Sequence, residues 1–273
     1  MNQRDNTGHM GLVIDVAEGS EPNIENFNID KRCNHPNSIY SEEADNIVTY
    51  FKTFNASISG QGITLALPNE ISISLSILEK SWNESLGLKK DIIRSIKEGR
   101  KSIARDDMAV QFDYIEKMYT SIIFSYKSVE SFCNASIPED YEYQTKNQRG
   151  VTEIYKKHEI ERWIKTSDKV TKILPKIYEC ESPSKMKFWS NFKELENIRN
   201  KVVHSKSKTT EDTFVELITK DWESCVFSSM RVLEYYFANN PSVDCIPFGY
   251  GGLSYRYTKV KEFSDIMEPY TKK

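Results

Sequence analysis

The spacing of apolar residues divides the chain into a first segment of short, often alternating runs and a longer part with helical periodicity. Up to about Leu86 the alternation is typical of half-buried strands. We predict these elements: strands over Gly11–Val16, Gly62–Leu67 and Ile71–Ile77, and a helix over Ser41–Phe54 that is capped by Ser41. The run from Ile71 can also open a helix toward Trp82, because short apolar runs do not separate the two states. The first segment is therefore predicted to be mixed α and β.

From Leu88 onward the apolar residues recur at helical spacing. The clearest stripe, in a helix predicted from Asp106 to Asn134, is Ile115, Tyr119, Ile122, Tyr126, Val129 and Cys133. Pro138 ends this helix, because the residue before a proline is pushed out of the helical region. After a polar loop over Tyr141–Gly150, further helices are predicted near Thr152–Ser167, Lys169–Tyr178, Lys185–Val203 and Glu211–Asn239.

These elements predict a mainly α protein. We expect an antiparallel helical bundle over residues 87–240. A smaller mixed α/β segment of unknown role covers residues 1–86, and a C-terminal extension covers residues 241–273.

One residue of the predicted helix Lys185–Val203 does not fit an apolar face. The stripe of this helix is Phe188, Phe192, Leu195, Arg199 and Val202, which places an arginine at the centre of the buried side. Burying a guanidinium costs several kcal/mol unless it is paired. Glu130, at the edge of the stripe on the helix Asp106–Asn134, is the predicted partner. Such a pair either fixes the packing of two helices or holds Arg199 so that its remaining donors point into a cleft.

His204 follows five residues after Arg199 in the string IRNKVVHS. On a continuous helix this offset rotates the histidine by about 140°, too far for both side chains to act on one phosphate. The helix must therefore end near Val203 if the two residues are to act together, and the polar run Ser205–Thr210 favours that ending. A histidine that only caps the helix is the alternative.

The string RNKVVH resembles the signature of the HEPN family, an arginine followed by a polar residue, with a histidine five to seven positions after the arginine. The resemblance covers about residues 105–240 and includes Glu130–Asn134, Ile137-Pro138 and Phe192–Leu195. It implies a bundle that dimerises so that two motifs line one cleft, and RNA cleavage without a metal. The implied site residues are Arg199, Asn200 and His204 for catalysis, Glu130 for support, and Lys201, Lys206 and Lys208 for RNA binding.

The implied reaction is attack of a ribose 2′-hydroxyl on the adjacent phosphate, which leaves a 2′,3′-cyclic phosphate. An imidazole exchanges protons at neutral pH, and a guanidinium stabilises charge that develops on the phosphate. Because one His204 cannot easily serve as both base and acid, we expect the second copy to supply another. The predicted function is an endoribonuclease of toxin or antiviral-defence type. The alternative is a noncatalytic HEPN module that binds RNA, a nucleotide or a partner protein.

Composition adds constraints on ligands and location. The net charge is −3, yet Lys and Arg clearly outnumber Asp and Glu between residues 141 and 210, where a polyphosphate would bind. A solvated lysine-rich helix surface is the alternative interpretation. The five cysteines and four histidines lack metal-ligand spacing, so we expect neither a metal nor a cofactor.

No apolar run approaches the roughly 20 residues of a membrane-spanning helix. We therefore expect a cytoplasmic protein that does not contact a membrane. Its expected partners are RNA, a second copy of the chain, and an antitoxin or other regulatory protein.

Overall fold

The structure is a computed structural model that describes residues 7–15, 30–34, 37–43, 46–98, 108–146, 148–204, 210–240 and 257–261. The chain divides into two compact units. We call the first the sheet unit; it consists of Met1–Ser72 and Pro247–Lys273. The second, which we call the helical unit, is the continuous segment Ile73–Ile246. The boundary thus falls at residue 72 rather than near residue 86, and the predicted C-terminal extension belongs mostly to the sheet unit.

The sheet unit contains a five-stranded sheet. Its strands are β1 (Thr7–Asp15), β2 (Asn37–Ser41), β3 (Asn46–Ile58), β4 (Gln61–Ala66) and β7 (Tyr257–Val260). They lie in the order β1-β3-β2-β7, and β4 pairs with the second half of β3. All pairings are antiparallel except that of β2 with β7. The predicted strands over residues 11–16 and 62–67 correspond to β1 and β4.

The predicted helix over Ser41–Phe54 is wrong, because most of this range belongs to β3. Its β-branched residues Ile47, Val48 and Thr49 favour a strand and are buried. The first half of β3 is also hydrogen-bonded on both sides, to β1 and to β2, which leaves no edge exposed there. Ser41 is the last residue of β2 rather than a helix cap.

Helix α1 (Glu70–Lys97) occupies the place of the strand predicted over Ile71–Ile77, so the helical alternative is confirmed. Asn69 begins the helix, because its Oδ1 accepts a hydrogen bond from the backbone N–H of Ser72 at 2.9 Å. The buried residues of the first half follow helical spacing: Ile71, Leu75, Leu78 and Trp82.

The helical unit is mainly α, as predicted. After α1 it contains α2 (Met108–Ser136), a hairpin of β5 (Glu142–Lys146) and β6 (Thr152–Lys156), α3 (Lys157–Trp163), α4 (Thr166–Asp168), a π-helical turn (Lys169–Ile173), α5 (Leu174–Ile177), a 3₁₀ turn (Pro183–Lys185), α6 (Trp189–Val203), α7 (Thr210–Thr219), α8 (Glu223–Val226) and α9 (Ser228–Asn239). Helix α2 ends just before Ile137-Pro138, as the sequence predicts. The hairpin replaces the predicted loop and the first turn of the helix predicted from Thr152.

Helix α2 lies at the centre of this unit and packs against α6, α7 and α9. Two contacts show that α9 runs parallel to α2: Ser125 Oγ lies 3.0 Å from Ser229 Oγ, and the rings of Phe132 and Tyr236 lie 5.7 Å apart. The predicted antiparallel bundle is not contradicted by this pair, because helices that are not consecutive in the chain can point the same way in such a bundle. The predicted helix Glu211–Asn239 is broken around the buried Trp222, so that α9 does not continue the direction of α7.

The π-helical turn carries a buried lysine. Lys169 is only 1% exposed, and its Nζ donates to Asn134 Oδ1 at 2.8 Å and to the carbonyl oxygen of Glu161 at 2.9 Å. Burial lowers the pKa of Lys169. Its ammonium group therefore ties the end of α2 to the end of α3.

Candidate functional site at the end of helix α6

Helix α6 packs on α2, and it buries four residues: Phe192, Leu195, Ile198 and Val202. Their spacing of three, three and four residues defines one face. Arg199 lies to one side of that face and is half-buried. The prediction that Arg199 occupies the centre of the buried face is therefore wrong, because Ile198 takes that place.

The Arg199 guanidinium is held by an aromatic ring and an amide. Its Cζ lies 4.9 Å from the ring centroid of Tyr126 on α2, which is a cation–π contact. Its Nη1 donates to Asn200 Oδ1 at 3.1 Å. Both neighbours are uncharged, so they position the guanidinium without neutralising it.

Tyr126 is itself fixed by three neighbours. Its hydroxyl donates to Glu196 Oε1 at 3.1 Å and lies beside the Thr166 side chain, and its ring stacks on Phe192 at 6.0 Å. Burial is the main reason why the pKa of Tyr126 is raised. The phenol stays protonated at neutral pH, and its ring is a rigid support for Arg199.

Glu196 is the carboxylate bonded to Tyr126, and it forms an ion pair with Lys193. Among the described residues, no carboxylate lies within ion-pair distance of Arg199. Its positive charge is therefore available to an anion that reaches this half-buried position.

Glu130 does not form the predicted ion pair with Arg199 in the described part of the chain. It lies one helical turn beyond Tyr126 on α2 and acts electrostatically on Lys169, whose pKa it raises against the larger effect of burial. The ring of Tyr126 thus contacts Arg199 where a carboxylate was predicted. A supporting role for Glu130 stays a prediction.

His204 is exposed and follows the last residue of α6. The predicted end of the helix at Val203 is thus confirmed. The backbone N–H of His204 still donates to the carbonyl oxygen of Asn200 at 2.9 Å, so its Cα continues the helical path. At about 100° per residue, His204 lies about 140° around the axis from Arg199. One chain therefore brings the two residues to the same end of α6 but not into contact.

The predicted RNA-binding lysines differ in their surroundings. Lys201 Nζ lies 2.7 Å from Glu216 Oε2, an ion pair that joins α6 to α7. Lys206 and Lys208 lie outside the described residues. The structure therefore assigns Lys201 a helix-to-helix contact, and its predicted contact with RNA would have to compete with Glu216.

Sequence reasoning missed the role of Tyr126, although this residue belongs to the predicted stripe of α2. The available signal was a tyrosine in an apolar stripe, because a buried phenol needs a hydrogen-bond partner. It also missed Thr166, which brings the segment after α3 to the Tyr126 hydroxyl.

No protein-family profile matches the chain, and no curated protein and no solved structure is significantly similar to it. Within the described ranges, no helix is both long and apolar enough to cross a lipid bilayer. Across the same residues, no group of three or more His, Cys, Asp or Glu side chains is arranged to hold a metal ion. The resemblance to HEPN proteins therefore stays a prediction from the sequence.

Proposed function

We propose that the helical unit is a metal-independent endoribonuclease domain of HEPN type, with Arg199, Asn200 and His204 as its catalytic residues. The proposal rests mainly on the surroundings of the Arg199 guanidinium. Its guanidinium is half-buried, fixed by Tyr126 and Asn200, and has no carboxylate partner among the described residues. A positioned and uncompensated guanidinium suits the charge that develops on a phosphate during cleavage.

The proposed reaction needs one base and one acid. The 2′-oxygen of ribose attacks the adjacent phosphorus, the His204 imidazole accepts the 2′-hydroxyl proton, and a water molecule gives a proton to the leaving 5′-oxygen. The new bond closes a 2′,3′-cyclic phosphate, and the broken bond releases a 5′-hydroxyl. Arg199 stabilises the additional negative charge on the phosphate oxygens, and Asn200 orients the guanidinium.

A homodimer supplies what one chain lacks. Since His204 lies about 140° around α6 from Arg199, we propose that His204 of one copy acts at the phosphate bound by Arg199 of the other. The biological setting proposed for this activity is a toxin or an antiviral defence system, in which a regulatory protein restrains the nuclease.

A second candidate function is a noncatalytic module that binds RNA, a nucleotide or a protein. The ion pair of Lys201 with Glu216 favours it, because this lysine is already used within the fold. Binding by Arg199 alone would require no contribution from His204.

The decisive experiment incubates purified protein and total RNA in EDTA, with Arg199→Ala and His204→Ala alongside. Arg94→Ala is the matched control, because Arg94 is an exposed arginine on α1 that pairs with Asp91. We expect wild type and Arg94→Ala to produce cyclic-phosphate ends, and both motif variants to lose at least about a hundredfold in rate. Intact RNA with wild type, or equal cleavage by the motif variants, refutes the nuclease.

Binding data separate the two candidates. If wild type and His204→Ala bind RNA equally without cutting it, and Arg199→Ala binds more weakly, the noncatalytic module is the correct function. Light scattering tests the dimer, since a strictly monomeric protein that cleaves RNA contradicts the two-copy site. Growth of cells that express wild type or His204→Ala tests the toxin setting, and equal growth contradicts it.

A further inference from the structure

Trp163, the last residue of helix α3, is exposed, and the guanidinium of Arg162 lies over its ring. Trp163 is 64% exposed, whereas Trp82 and Trp222 are 6% and 1% exposed. The Cζ of Arg162 lies 4.6 Å from the Trp163 ring centroid. A large aromatic ring in water is an uncommon position for tryptophan, which is highly buried on average.

The core beside α3 does not use this ring. The buried cluster at the hairpin consists of Ile137, Tyr143, Ile160 and Ile173. Ile160 is the buried residue of α3, and Trp163 stands outside the cluster. Among the described residues, the packing of this cluster therefore gives no reason for a tryptophan at this position.

The ring is flanked by positive charge. Arg162 and Lys165 are both exposed, and neither forms an ion pair with any described residue. The combination of an exposed ring and unpaired cations is the chemistry that binds single-stranded nucleic acid: the ring stacks on a base while the cations attract phosphates. An apolar protein surface would not require the two cations.

Trp163 is also close in sequence to the support of the candidate catalytic site. Thr166 follows three residues later, and its side chain lies beside the Tyr126 hydroxyl. Three residues span at most about 11 Å between Cα atoms. Tyr126 in turn carries the Arg199 guanidinium on its ring. The exposed ring therefore lies within three residues, along the chain, of a side chain at the aromatic support of the guanidinium.

We propose that Trp163, with Arg162 and Lys165, is a stacking platform for an unpaired RNA base near the phosphate that Arg199 binds. This inference rests on the proposed function, and it names the substrate class as single-stranded RNA. Bases in a duplex are stacked on one another and cannot open onto the ring.

The test measures binding of a short single-stranded RNA and of an RNA duplex to the His204→Ala protein, in which cleavage is suppressed. Trp163→Ala should weaken single-strand binding by about 5- to 150-fold, the factor expected for one stacked base. Trp163→Phe is the conservative variant; it should recover most of the affinity, because phenylalanine retains a stacking face. Duplex binding should be the same for all three proteins.

Tryptophan fluorescence gives a second readout. The single strand should quench the emission of the parent protein, and this quenching should be absent from Trp163→Phe although the strand still binds. The exposed position of Trp163 predicts that both substitutions leave the circular dichroism spectrum and the melting temperature unchanged.

The outcomes separate this proposal from the nuclease assignment. If Trp163→Ala binds the single strand as tightly as its parent while Arg199→Ala does not, the platform is refuted and the phosphate site stands. If neither substitution changes RNA binding, the platform is refuted, and the cleavage assay decides the nuclease assignment separately. If Trp163→Ala changes only the oligomeric state in light scattering, the ring contacts another protein chain and the platform is likewise refuted.

Discussion

In the π-helical turn, the buried carbonyl oxygen of Val170 accepts its hydrogen bond from a side chain rather than from the backbone. The N–H of Leu174 donates to the carbonyl of Lys169, and Pro175, the next residue, has no N–H to offer to Val170. The hydroxyl of Tyr236 donates to the Val170 carbonyl instead. Tyr236→Phe retains the ring but leaves this buried carbonyl unpaired, which should lower the free energy of unfolding by about 1–3 kcal/mol at pH 7.

The same substitution should change how stability depends on pH. Burial raises the pKa of Tyr236 far above its ordinary value near 10. Above about pH 10 the unfolded chain loses this proton and the folded chain keeps it, so the native state binds more protons and stability falls as pH rises. The slope is about 1.4 kcal/mol per pH unit. Because phenylalanine lacks the proton, the advantage of wild type should disappear at about pH 11 to 12.

Denaturant unfolding monitored by tryptophan fluorescence measures this difference. All four tryptophans of the chain lie in the helical unit, so the signal reports on that unit. Tyr235→Phe is the matched control, because the Tyr235 hydroxyl donates to the Glu181 carbonyl at an exposed position and should contribute less than about 1 kcal/mol. A loss below about 0.5 kcal/mol for Tyr236→Phe at pH 7, or a wild-type advantage that grows above pH 10, would refute the reasoning.

Three further predictions concern local features. Tyr126→Phe removes the hydroxyl that bonds to Glu196 but keeps the ring that contacts Arg199. The free energy of unfolding measured in urea should therefore fall by about 1–2 kcal/mol, while RNA affinity stays unchanged. A loss of affinity would show that the hydroxyl itself contributes to binding. A methyl group at Gly87 or Gly150 meets nothing within 4 Å. Gly87→Ala in α1 should therefore raise the unfolding free energy by about 0.5–1 kcal/mol, and Gly150→Ala, at φ +76°, should lower it by about 1 kcal/mol; equal melting temperatures would contradict both. Ser125→Ala removes a buried hydroxyl that donates to a carbonyl of α8, and calorimetry should record a loss of about 1–2 kcal/mol, whereas an unchanged melting temperature would count against that bond.

Helices were predictable where the apolar pattern is long and periodic. Helix α2 keeps its stripe for several turns, and proline fixes its end, so only its exact bounds differed. The region of β3 misled the prediction because Ser41 with two following glutamates resembles a helix start, while the β-branched run from Ile47 favours a strand. Whether this range forms a helix or a strand depends on pairing with neighbouring strands, which the local sequence does not specify.

The end of α6 was predictable, but the partner of Arg199 was not. Tyr126 and Glu130 lie one turn apart on nearly the same side of α2, so an angular projection selects both. The offset along the helix axis selects between them, and that offset depends on how side chains interlock in the folded unit. The pairing of Lys201 with Glu216 was not predictable either. It requires the chain to reverse direction between α6 and α7, and the sequence pattern does not specify that reversal.

The parallel pairing of β7 with β2 has a consequence for the order of synthesis. Strand β2 leaves the ribosome long before residues 257–260, since the whole helical unit is translated between them. Until those residues arrive, the outer row of β2 amides and carbonyls is open to pairing with a strand of another chain. The speed of translation through residues 73–246 therefore determines how long the nascent protein is exposed to that kind of misassembly.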